Sequence, residues 1–301
     1  MDTVSANVSP THSTTPNANI PRTITAQSLR STLGRAAHPL VIDVRRVEAF
    51  SKATHLIAGA TWRNPFDVLA WAKYLPRHVP IVVYCVHGFE ISTNVAAALA
   101  EEGLNTAILE GGIDAWMTLG APLTAKMVMS PEAKMASPLI PSAINAPSTW
   151  VTRARPKIDR IACPWLIKRF IDPLAVFVYV PADEVQAYAA RTGAIAYDVP
   201  GVRFTHRGEL CSFDALLQDF DLQDASLTAL AKIVRGADTG QPELTPQSAG
   251  LLALSLGLSR LYDDDLTMLN FGLIAYDAYY AWLQSAQAEV HNADLFKVSN
   301  V

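Results

Sequence analysis

The first third of the chain alternates between short apolar runs and helical patterns. Apolar runs of four to six residues predict β-strands at 40–45 (LVIDVR), 58–62 (AGATW), 81–84 (IVVY) and 106–109 (TAIL). Helical patterns lie around them, at 24–33, 48–52, 66–75, 93–102 and 111–119. Because strands alternate with helices, we predict an α/β domain in which a parallel sheet is flanked by helices.

The second half of the chain has a different pattern. Apolar runs predict three strands, at 150–153, 175–180 and 194–199. The rest is mostly helical, with helices predicted at 213–220, 225–234, 245–262 and 266–287. This order predicts an α+β domain, mostly helical, that shows no internal repeat of the first.

A change in composition separates the two halves. The segment 121–149 is rich in Pro, Ser and Ala and has little periodicity, which is typical of a linker. The first residues are rich in Thr, Ser, Asn and Pro, which is typical of a disordered tail. We therefore predict four segments: a disordered tail (1–22), an α/β domain (23–123), a linker (124–149) and a second domain (150–290). The 301 residues are 50% hydrophobic, enough for a core in each domain.

Charge and cysteine content restrict the function classes. The net charge of −4 and the pI near 6.0 argue against a general nucleic-acid binder. Three cysteines without framework spacing fit a reducing compartment. The N-terminal sequence lacks the pattern of a secretory signal, and the most apolar run, 249–258, is too short to span a bilayer. We expect a cytoplasmic protein that has no membrane partner.

The stretch 84–92 (YCVHGFEIS) contains the first candidate for chemistry. Cys85 follows a predicted strand, Gly88 allows a tight turn, and a helix follows. Backbone N–H groups and the positive end of a helix lower the pKa of a thiol and so favour the reactive thiolate. The pattern alone leaves two interpretations open, because Cys85 is either a nucleophile or a small buried residue at the end of a strand.

Four flanking motifs resemble those of a known family and favour the interpretation of Cys85 as a nucleophile. They are 43–45 (DVR), 57–60 (IAGA), 109–116 (LEGGIDAW) and 120–123 (GAPL). In this order and spacing, 23–123 resembles the rhodanese (sulfurtransferase) family. The resemblance implies that Cys85 is the catalytic residue and carries sulfur as a persulfide, without a cofactor, from a small-molecule or protein donor to a thiol acceptor. It further implies a persulfide cradle and two supporting residues, Asp43 and Arg45; the cradle is Val86, His87, Gly88, Phe89 and Glu90.

The loop departs from the family pattern at one position. Rhodanese loops commonly carry a basic residue where this chain has Glu90. A carboxylate beside the sulfur raises the pKa of the thiol and repels anionic thiosulfate. His87 either offsets this charge when protonated or is an ordinary exposed loop residue. The departure favours a neutral or protein-bound persulfide as donor.

The second domain contains two groups of polar residues. Four basic residues lie at 153–160 and suit a tetrahedral oxyanion, although such a cluster alone is more often a solvated face; they are Arg153, Arg155, Lys157 and Arg160. Possible metal ligands are Asp159 and Cys163, which share a face if this segment is helical, together with His206 and Cys211. Their spacing matches no standard zinc pattern, so each also has an ordinary structural interpretation.

The longer motifs of this half carry a second resemblance. They are 158–172 (IDRIACPWLIKRFID), 206–214 (HRGELCSFD), 233–238 (IVRGAD) and 250–265 (GLLALSLGLSRLYDDD). They resemble the chromate-resistance domain of ChrB-type proteins over 150–287. The resemblance implies a role in chromate resistance or response, with chromate or a metal bound by this domain. We expect a two-domain sulfurtransferase. The alternative is a non-catalytic sensor whose first domain only binds a partner.

Overall fold

The first domain is built on five parallel strands in the order β1-β6-β5-β2-β4. The computed structural model describes residues 22–126 and 147–289. The strands are β1 (Arg22–Ile24), β2 (Leu40–Asp43), β4 (Ala60–Trp62), β5 (Ile81–Tyr84) and β6 (Thr106–Leu109). Two further strands, β3 (His55–Ile57) and β7 (Leu123–Ala125), pair antiparallel in a separate small sheet.

Five helices cover this sheet. They are α1 (Ala26–Arg30), α2 (Val47–Lys52), α3 (Val68–Ala72), α4 (Glu90–Glu101) and α5 (Gly112–Thr118). The fully buried β2 and β5 explain the continuous apolar runs that predicted them, because helices lie on both faces of the sheet. The predicted parallel α/β domain is therefore confirmed.

The second domain has a small parallel sheet in the order β10-β8-β9 and six helices among the described residues. The strands are β8 (Thr149–Arg153), β9 (Val176–Val180) and β10 (Ile195–Ala196). The helices are α6 (Asp159–Leu166), α7 (Val185–Thr192), α8 (Ser212–Asp219), α9 (Ala225–Asp238), α10 (Ser248–Leu261) and α11 (Asp265–Ser285). The predicted mostly helical domain is confirmed.

Several predicted elements differ from the structure. The helix predicted at 24–33 begins only at Ala26, because the Thr25 side chain caps its first turn and Ile24 belongs to β1. The strand predicted at 194–199 ends at Ala196, and Asp198 turns the chain with a φ of 50°. Strands β1, β3 and β7 and helices α6 and α7 were not predicted, since they are short or, in α6, contain Pro164.

Helix α9 continues past the predicted end at 234, through Gly236. A Cβ atom at Gly236 would lie 2.3 Å from the hydroxyl oxygen of Ser248 on α10. Gly236 therefore allows α9 and α10 to pack closely, and α9 continues to Asp238. This extension places the Asp238 carboxylate in the second candidate site, described below.

Pro164 lies inside α6 without breaking it. A proline has no N–H to donate to the carbonyl one turn earlier, which here belongs to Arg160. The hydroxyl groups of Tyr179 and Tyr197 donate to that carbonyl instead, at 3.2 and 3.4 Å. The chain then continues as a π-helical turn, Ile167–Ile171, which ends at the interface between the domains.

The two domains share one continuous hydrophobic core. The carbonyl of Phe170 accepts hydrogen bonds from the Gly59 N–H at 2.7 Å and from the Thr124 hydroxyl at 2.6 Å. The Ala125 N–H donates to the carbonyl of Phe220 at 2.8 Å. The predicted tail, apart from Arg22 in β1, and most of the predicted linker lie outside the described residues. At the described ends of the linker, Thr124 and Ala125 belong to β7 and Thr149 to β8.

No helix in the two described ranges has both the length and the apolar character required for a membrane span.

Candidate functional site

Cys85 lies directly after the carboxyl end of β5, the middle strand of the five-stranded sheet. Ligands of parallel sheets bind at this edge, outside the ends of the strands. A cavity of about 300 Å³ opens beside the residue. Its lining includes the loop after β5 and residues that follow β2: Arg45, Arg46, Ala49, Cys85, Val86, His87, Phe89, Glu90 and Ile91.

The sulfur atom of Cys85 is surrounded by hydrogen-bond donors. Burial raises the pKa of this thiol, but the side chain of Ser92 and the backbone N–H groups of Ser92, Phe89 and Gly88 oppose that effect. Their combined effect is larger, so the pKa of Cys85 is lowered. The Ser92 hydroxyl oxygen lies 3.4 Å from the sulfur atom. The loop therefore favours the thiolate, and two residues of the segment 86–90, Gly88 and Phe89, are among the donors to the sulfur.

Two glycines give the loop its shape. Gly88 has a φ of 75°, and a Cβ atom there would lie 2.7 Å from the carbonyl oxygen of Leu109. A Cβ atom at Gly112 would lie 2.5 Å from the carbonyl oxygen of Cys85. Because Gly112 leaves this space free, the Ile113 N–H at the start of α5 can donate to the Cys85 carbonyl at 3.0 Å. The motif 109–116 thus packs closely against the cysteine loop and holds it by a hydrogen bond.

Asp43 and Arg45 form a buried ion pair under the loop. The Arg45 Nη2 atom lies 2.6 Å from the Asp43 Oδ2 atom, and the two side chains are 5% and 0% exposed. Arg45 also donates to the carbonyl of His55 at 3.0 Å. These contacts join the ends of β2 and β3, which agrees with a supporting role for both residues.

Glu90 and His87 do not act together on the sulfur. Glu90 is exposed, lines the cavity and is the first residue of α4, where the helix dipole favours a carboxylate. The His87 Nδ1 atom lies 2.7 Å from the Asp114 Oδ2 atom, and both side chains are largely exposed. His87 is therefore directed to α5. An exposed arginine that sequence reasoning did not single out, Arg46, also lines the cavity.

A second cluster of polar side chains lies in the second domain. The Nε2 atom of His206 is 3.7 Å from the Oδ2 atom of Asp159, 3.6 Å from Oδ1 of Asp198 and 3.1 Å from Oδ2 of Asp238. Asp159 is fully buried, Asp198 is buried, and His206 is 41% exposed. The cluster thus reaches from the core to the surface through the imidazole.

The close carboxylates alter one another's protonation. Burial, followed by the neighbouring Asp238 and Asp198, raises the pKa of Asp159 well above its usual value. The same carboxylates, Asp198 first, raise the pKa of His206 to about 9 against the opposing effect of burial. Three acidic groups and one imidazole therefore form a single interacting unit.

Separate elements bring these four residues together. Asp159 is the first residue of α6 and Asp238 the last of α9. Ser212, at the start of α8, donates its N–H to Asp159 Oδ2 at 2.6 Å and its hydroxyl to Asp198 Oδ1 at 2.7 Å. The N-terminal end of α8 thus orients two of the carboxylates.

The residue before Asp159 has an unusual backbone conformation. Ile158 has a φ of 42°, which is strained for a β-branched residue. Its N–H donates to Ser255 on α10 at 2.9 Å, and its carbonyl accepts from the Tyr276 hydroxyl on α11 at 3.1 Å. Two helices thus hold the turn that places Asp159 in the cluster.

The two cysteines proposed as metal ligands are buried near the cluster but do not belong to its converging ligand atoms. Cys163 is fully buried, and burial followed by Asp159 raises the pKa of its thiol. Cys211 directly precedes α8, and its sulfur donates to Asp214 at 3.3 Å. Burial, then Asp159 and Asp214, raises the pKa of Cys211. Of the predicted ligands, the structure brings together Asp159 and His206 in a group with Asp198, without either thiol.

The four basic residues predicted to bind an oxyanion do not converge. Arg155 donates to carbonyls at the end of α10, those of Ser259, Tyr262 and Asp263. It therefore caps that helix. Arg153 and Arg160 instead lie 3.8 and 3.7 Å from Asp198 Oδ2. Lys157 is half-buried and lies between Arg153 and Arg160 in the chain.

Sequence reasoning missed four residues of the two sites: Arg46, Ser92, Asp198 and Asp238. Ser92 had a local signal, since it lies in the first turn of the helix that follows the cysteine loop. Asp238 was noticed only as the acid after a glycine. Asp198 had no signal, because its role depends on a turn between β10 and α8 that has no regular pattern.

Comparison with known proteins identifies both domains. Residues 25–119 match the model of the Rhodanese-like domain. Solved structures similar to this chain include a rhodanese-related protein from Thermoplasma volcanium (28% identity, 34% of this chain, 96% of that chain, TM-score 0.30). Another is a rhodanese-like domain protein from Staphylococcus aureus (23% identity, 32% of this chain, 90% of that chain, TM-score 0.29). The first part of the chain is a rhodanese-like domain.

Residues 150–283 match the model of the ChrB C-terminal domain. A curated relative, Protein ChrB of Cupriavidus metallidurans, is 34% identical over 131 residues, which cover 43% of this chain and 39% of that protein. The chain therefore matches about two fifths of the length of this relative. The protein joins a rhodanese-like domain to a ChrB C-terminal domain.

Proposed function

We propose that this protein is a rhodanese-type sulfurtransferase that carries sulfur as a persulfide on Cys85. The observation that carries the proposal is a thiol with a lowered pKa, surrounded by N–H donors and facing a cavity of about 300 Å³. Donors that stabilise a thiolate also stabilise the negative terminal sulfur of a persulfide. The cavity provides the space for that additional sulfur atom.

The chemistry is two successive displacements at sulfur. The Cys85 thiolate attacks the outer sulfur of a persulfide donor, R–S–SH, and forms a new S–S bond. The old S–S bond breaks, and the donor leaves as the thiolate R–S⁻. An acceptor thiolate then attacks the outer sulfur on Cys85 and releases the Cys85 thiolate. No oxidant or cofactor is consumed.

The charge of the cavity selects the donor. Glu90 lines the cavity and repels a dianion such as thiosulfate, whereas a thiol persulfide at neutral pH carries less charge. Arg46 offsets part of this repulsion. A persulfide on a small thiol or on a protein is therefore the preferred donor, and a thiol is the acceptor.

The second domain links this activity to chromate resistance or response. The support for this link is the match to the ChrB C-terminal domain. Thiols reduce chromate, so a sulfur carrier beside such a domain is chemically coherent. In a chromate-sensitive host, the intact chain should raise chromate tolerance more than its Cys85→Ser variant. Equal tolerance with both would leave the link without support from sulfur transfer.

Mass spectrometry of the intact protein tests the sulfur-transfer proposal. After incubation with a thiol persulfide and removal of excess reagent, the wild type should gain one sulfur atom on Cys85. Cys85→Ser should gain none, because Cys163 and Cys211 are fully buried. If the wild type stays unloaded with both persulfide and thiosulfate, sulfur transfer is refuted and a non-catalytic sensor is favoured.

A further inference from the structure

We infer that Asp159, Asp198 and His206, with Asp238 beside them, form a binding site for one divalent cation of the Mn²⁺ or Fe²⁺ type. The inference concerns the second domain alone and does not depend on sulfur transfer at Cys85. One buried oxygen atom is the main observation. The Oδ1 atom of Asp159 is buried and has no hydrogen-bond partner, in a residue that is fully buried.

Such an oxygen is costly to bury. A buried carboxyl oxygen needs a hydrogen-bond partner or a cation, since burying an unpaired polar group costs a few kcal/mol in general. The other oxygen of Asp159 has its donor, the Ser212 N–H. Two further carboxylates, Asp238 and Asp198, add negative charge near the Asp159 carboxyl group. A bound cation supplies the missing partner and offsets the mutual repulsion.

The distances fit one ion. Two ligand atoms about 2.1 Å from the same metal lie about 3 Å apart when adjacent in an octahedron and about 4 Å apart when opposite. The ligand atoms of Asp159, Asp198 and His206 all lie within 4.8 Å of one another. The contacts of His206 with the three carboxylates, from 3.1 to 3.7 Å, fall in the expected range.

The arginines near Asp198 do not complete the site. Arg153 and Arg160 lie 3.8 and 3.7 Å from Asp198 Oδ2, too far for hydrogen bonds. The Nε atom of Arg160 is buried and lacks a hydrogen-bond partner. Both arginines lie near the Oδ2 atom of Asp198 and offset part of its charge. The Oδ1 atom of Asp198 is the one that faces His206.

The surroundings resemble the outer shell of a metal site. Ser212 holds both Asp159 and Asp198 by hydrogen bonds to carboxylate oxygens, as outer-shell residues do for metal ligands. Asp238 ends α9, where the helix dipole disfavours a carboxylate. A cation at this point removes that disadvantage.

The ligand types indicate the class of metal. Two carboxylates and one imidazole suit Mn²⁺ or Fe²⁺, whereas soft cations prefer thiolates. Neither Cys163 nor Cys211 belongs to the group of converging ligand atoms. His206 is 41% exposed, so an ion can enter from the surface on its side.

Titration of the chelator-treated full-length protein with Mn²⁺, followed by electron paramagnetic resonance of the free ion, tests the site. The wild type should bind one Mn²⁺ per chain. Asp159→Asn and Asp198→Asn should weaken binding by at least roughly tenfold. Asparagine keeps the shape of each side chain and tolerates the positive φ of Asp198. Asp183→Asn, an exposed residue, is the matched control and should bind like the wild type.

Two further measurements keep the test decisive. If an Asn variant fails to fold, His206→Ala provides the same titration at an exposed position. Mn²⁺ should also raise the Tm of the wild type and of Cys163→Ala, but not that of Asp198→Asn. The inference is overturned if the wild type binds no Mn²⁺, or if the folded Asp and His variants bind it as tightly as Asp183→Asn does.

Discussion

The sulfur atom of Cys85 and the hydroxyl oxygen of Ser92 lie 3.4 Å apart. The Ser92 hydroxyl also donates to the carbonyl of Phe89 at 2.9 Å, so its proton has two possible acceptors. Once Cys85 loses its proton, the negative sulfur becomes the stronger acceptor. Ser92 thus connects the first turn of α4 to the reactive atom and contributes to the lowered pKa of the thiol.

Replacement of Ser92 by alanine should therefore raise the pKa of Cys85. A hydrogen bond to a charged group contributes about 1.5 kcal/mol or more, which corresponds to about one pKa unit. The midpoint of the pH profile of Cys85 alkylation should move upward by that amount. Thr93→Ala is the control, because its hydroxyl also donates to the Phe89 carbonyl but is not among the donors to the sulfur. An unchanged midpoint in Ser92→Ala would assign the low pKa to the backbone donors alone.

Gly88→Ala should disrupt the cysteine loop. The added Cβ atom meets both an unfavourable φ of 75° and the Leu109 carbonyl oxygen at 2.7 Å. Gly120→Ala is the matched control, since Gly120 has a φ of 63° but nothing within 4 Å of a Cβ atom. We expect about 1–2 kcal/mol of destabilisation at Gly120 from the backbone alone, and at least about 1 kcal/mol more at Gly88. Denaturant unfolding measures both. Equal losses would show that the loop tolerates the Cβ atom.

Glu90→Lys should improve loading from thiosulfate. The change replaces a negative charge that repels thiosulfate with a positive charge that attracts it. Between charges several ångströms apart in a hydrated site, this corresponds to about a three- to tenfold change in the loading rate. Loading from a neutral persulfide donor should change much less. Glu101→Lys, at the exposed other end of α4, changes the net charge equally and is the control. The same gain in both variants would indicate an effect of overall charge and not of the cavity.

His38 should make the protein less stable in acid. The Thr32 hydroxyl donates to the Leu29 carbonyl and lies 2.8 Å from the Nδ1 atom of His38, so Nδ1 carries the proton of the neutral ring. Its Nε2 atom is buried without a hydrogen-bond partner. Burial, followed by Arg169 of the second domain, lowers the pKa of His38 to about 4. His38 lines a small cavity between the domains, and the other charged groups that line it, Arg35 and Lys168, are also positive.

The direction of the pH effect follows from this lowered pKa. Between about pH 6.5 and pH 4 the unfolded chain binds a proton at His38 that the folded chain does not. The part of the unfolding free energy that depends on neutral His38 is fully present above about pH 6.5 and is lost as the pH falls towards 4. Between pH 7.5 and 5.0 it amounts to about 2 kcal/mol of unfolding free energy. His38→Gln should reduce the acid loss by that amount, and the exposed His78→Gln should not. Identical pH profiles in both variants would contradict this.

Local sequence patterns were sufficient to predict much of the secondary structure of the first domain. The strands at 81–84 and 106–109 have the predicted bounds, because fully or mostly buried parallel strands are continuous apolar runs. Cys85 at the end of such a strand, followed by Gly88 and a helix, already indicated a loop able to surround a sulfur atom. Strands β3 and β7 were missed, since three-residue strands carry too few positions for a period.

Tertiary structure alone decided the second site and the relation between the domains. Asp159, Asp198, His206 and Asp238 are separated by up to 79 positions along the chain and meet only because α6, α8 and α9 pack together. The sequence by itself determined both domain families, the position of Cys85 at the end of a strand and two members of the cluster, since these depend on neighbouring residues. It did not determine the exclusion of Cys163 and Cys211 or the continuous core across the interface, because burial and convergence depend on packing between distant segments.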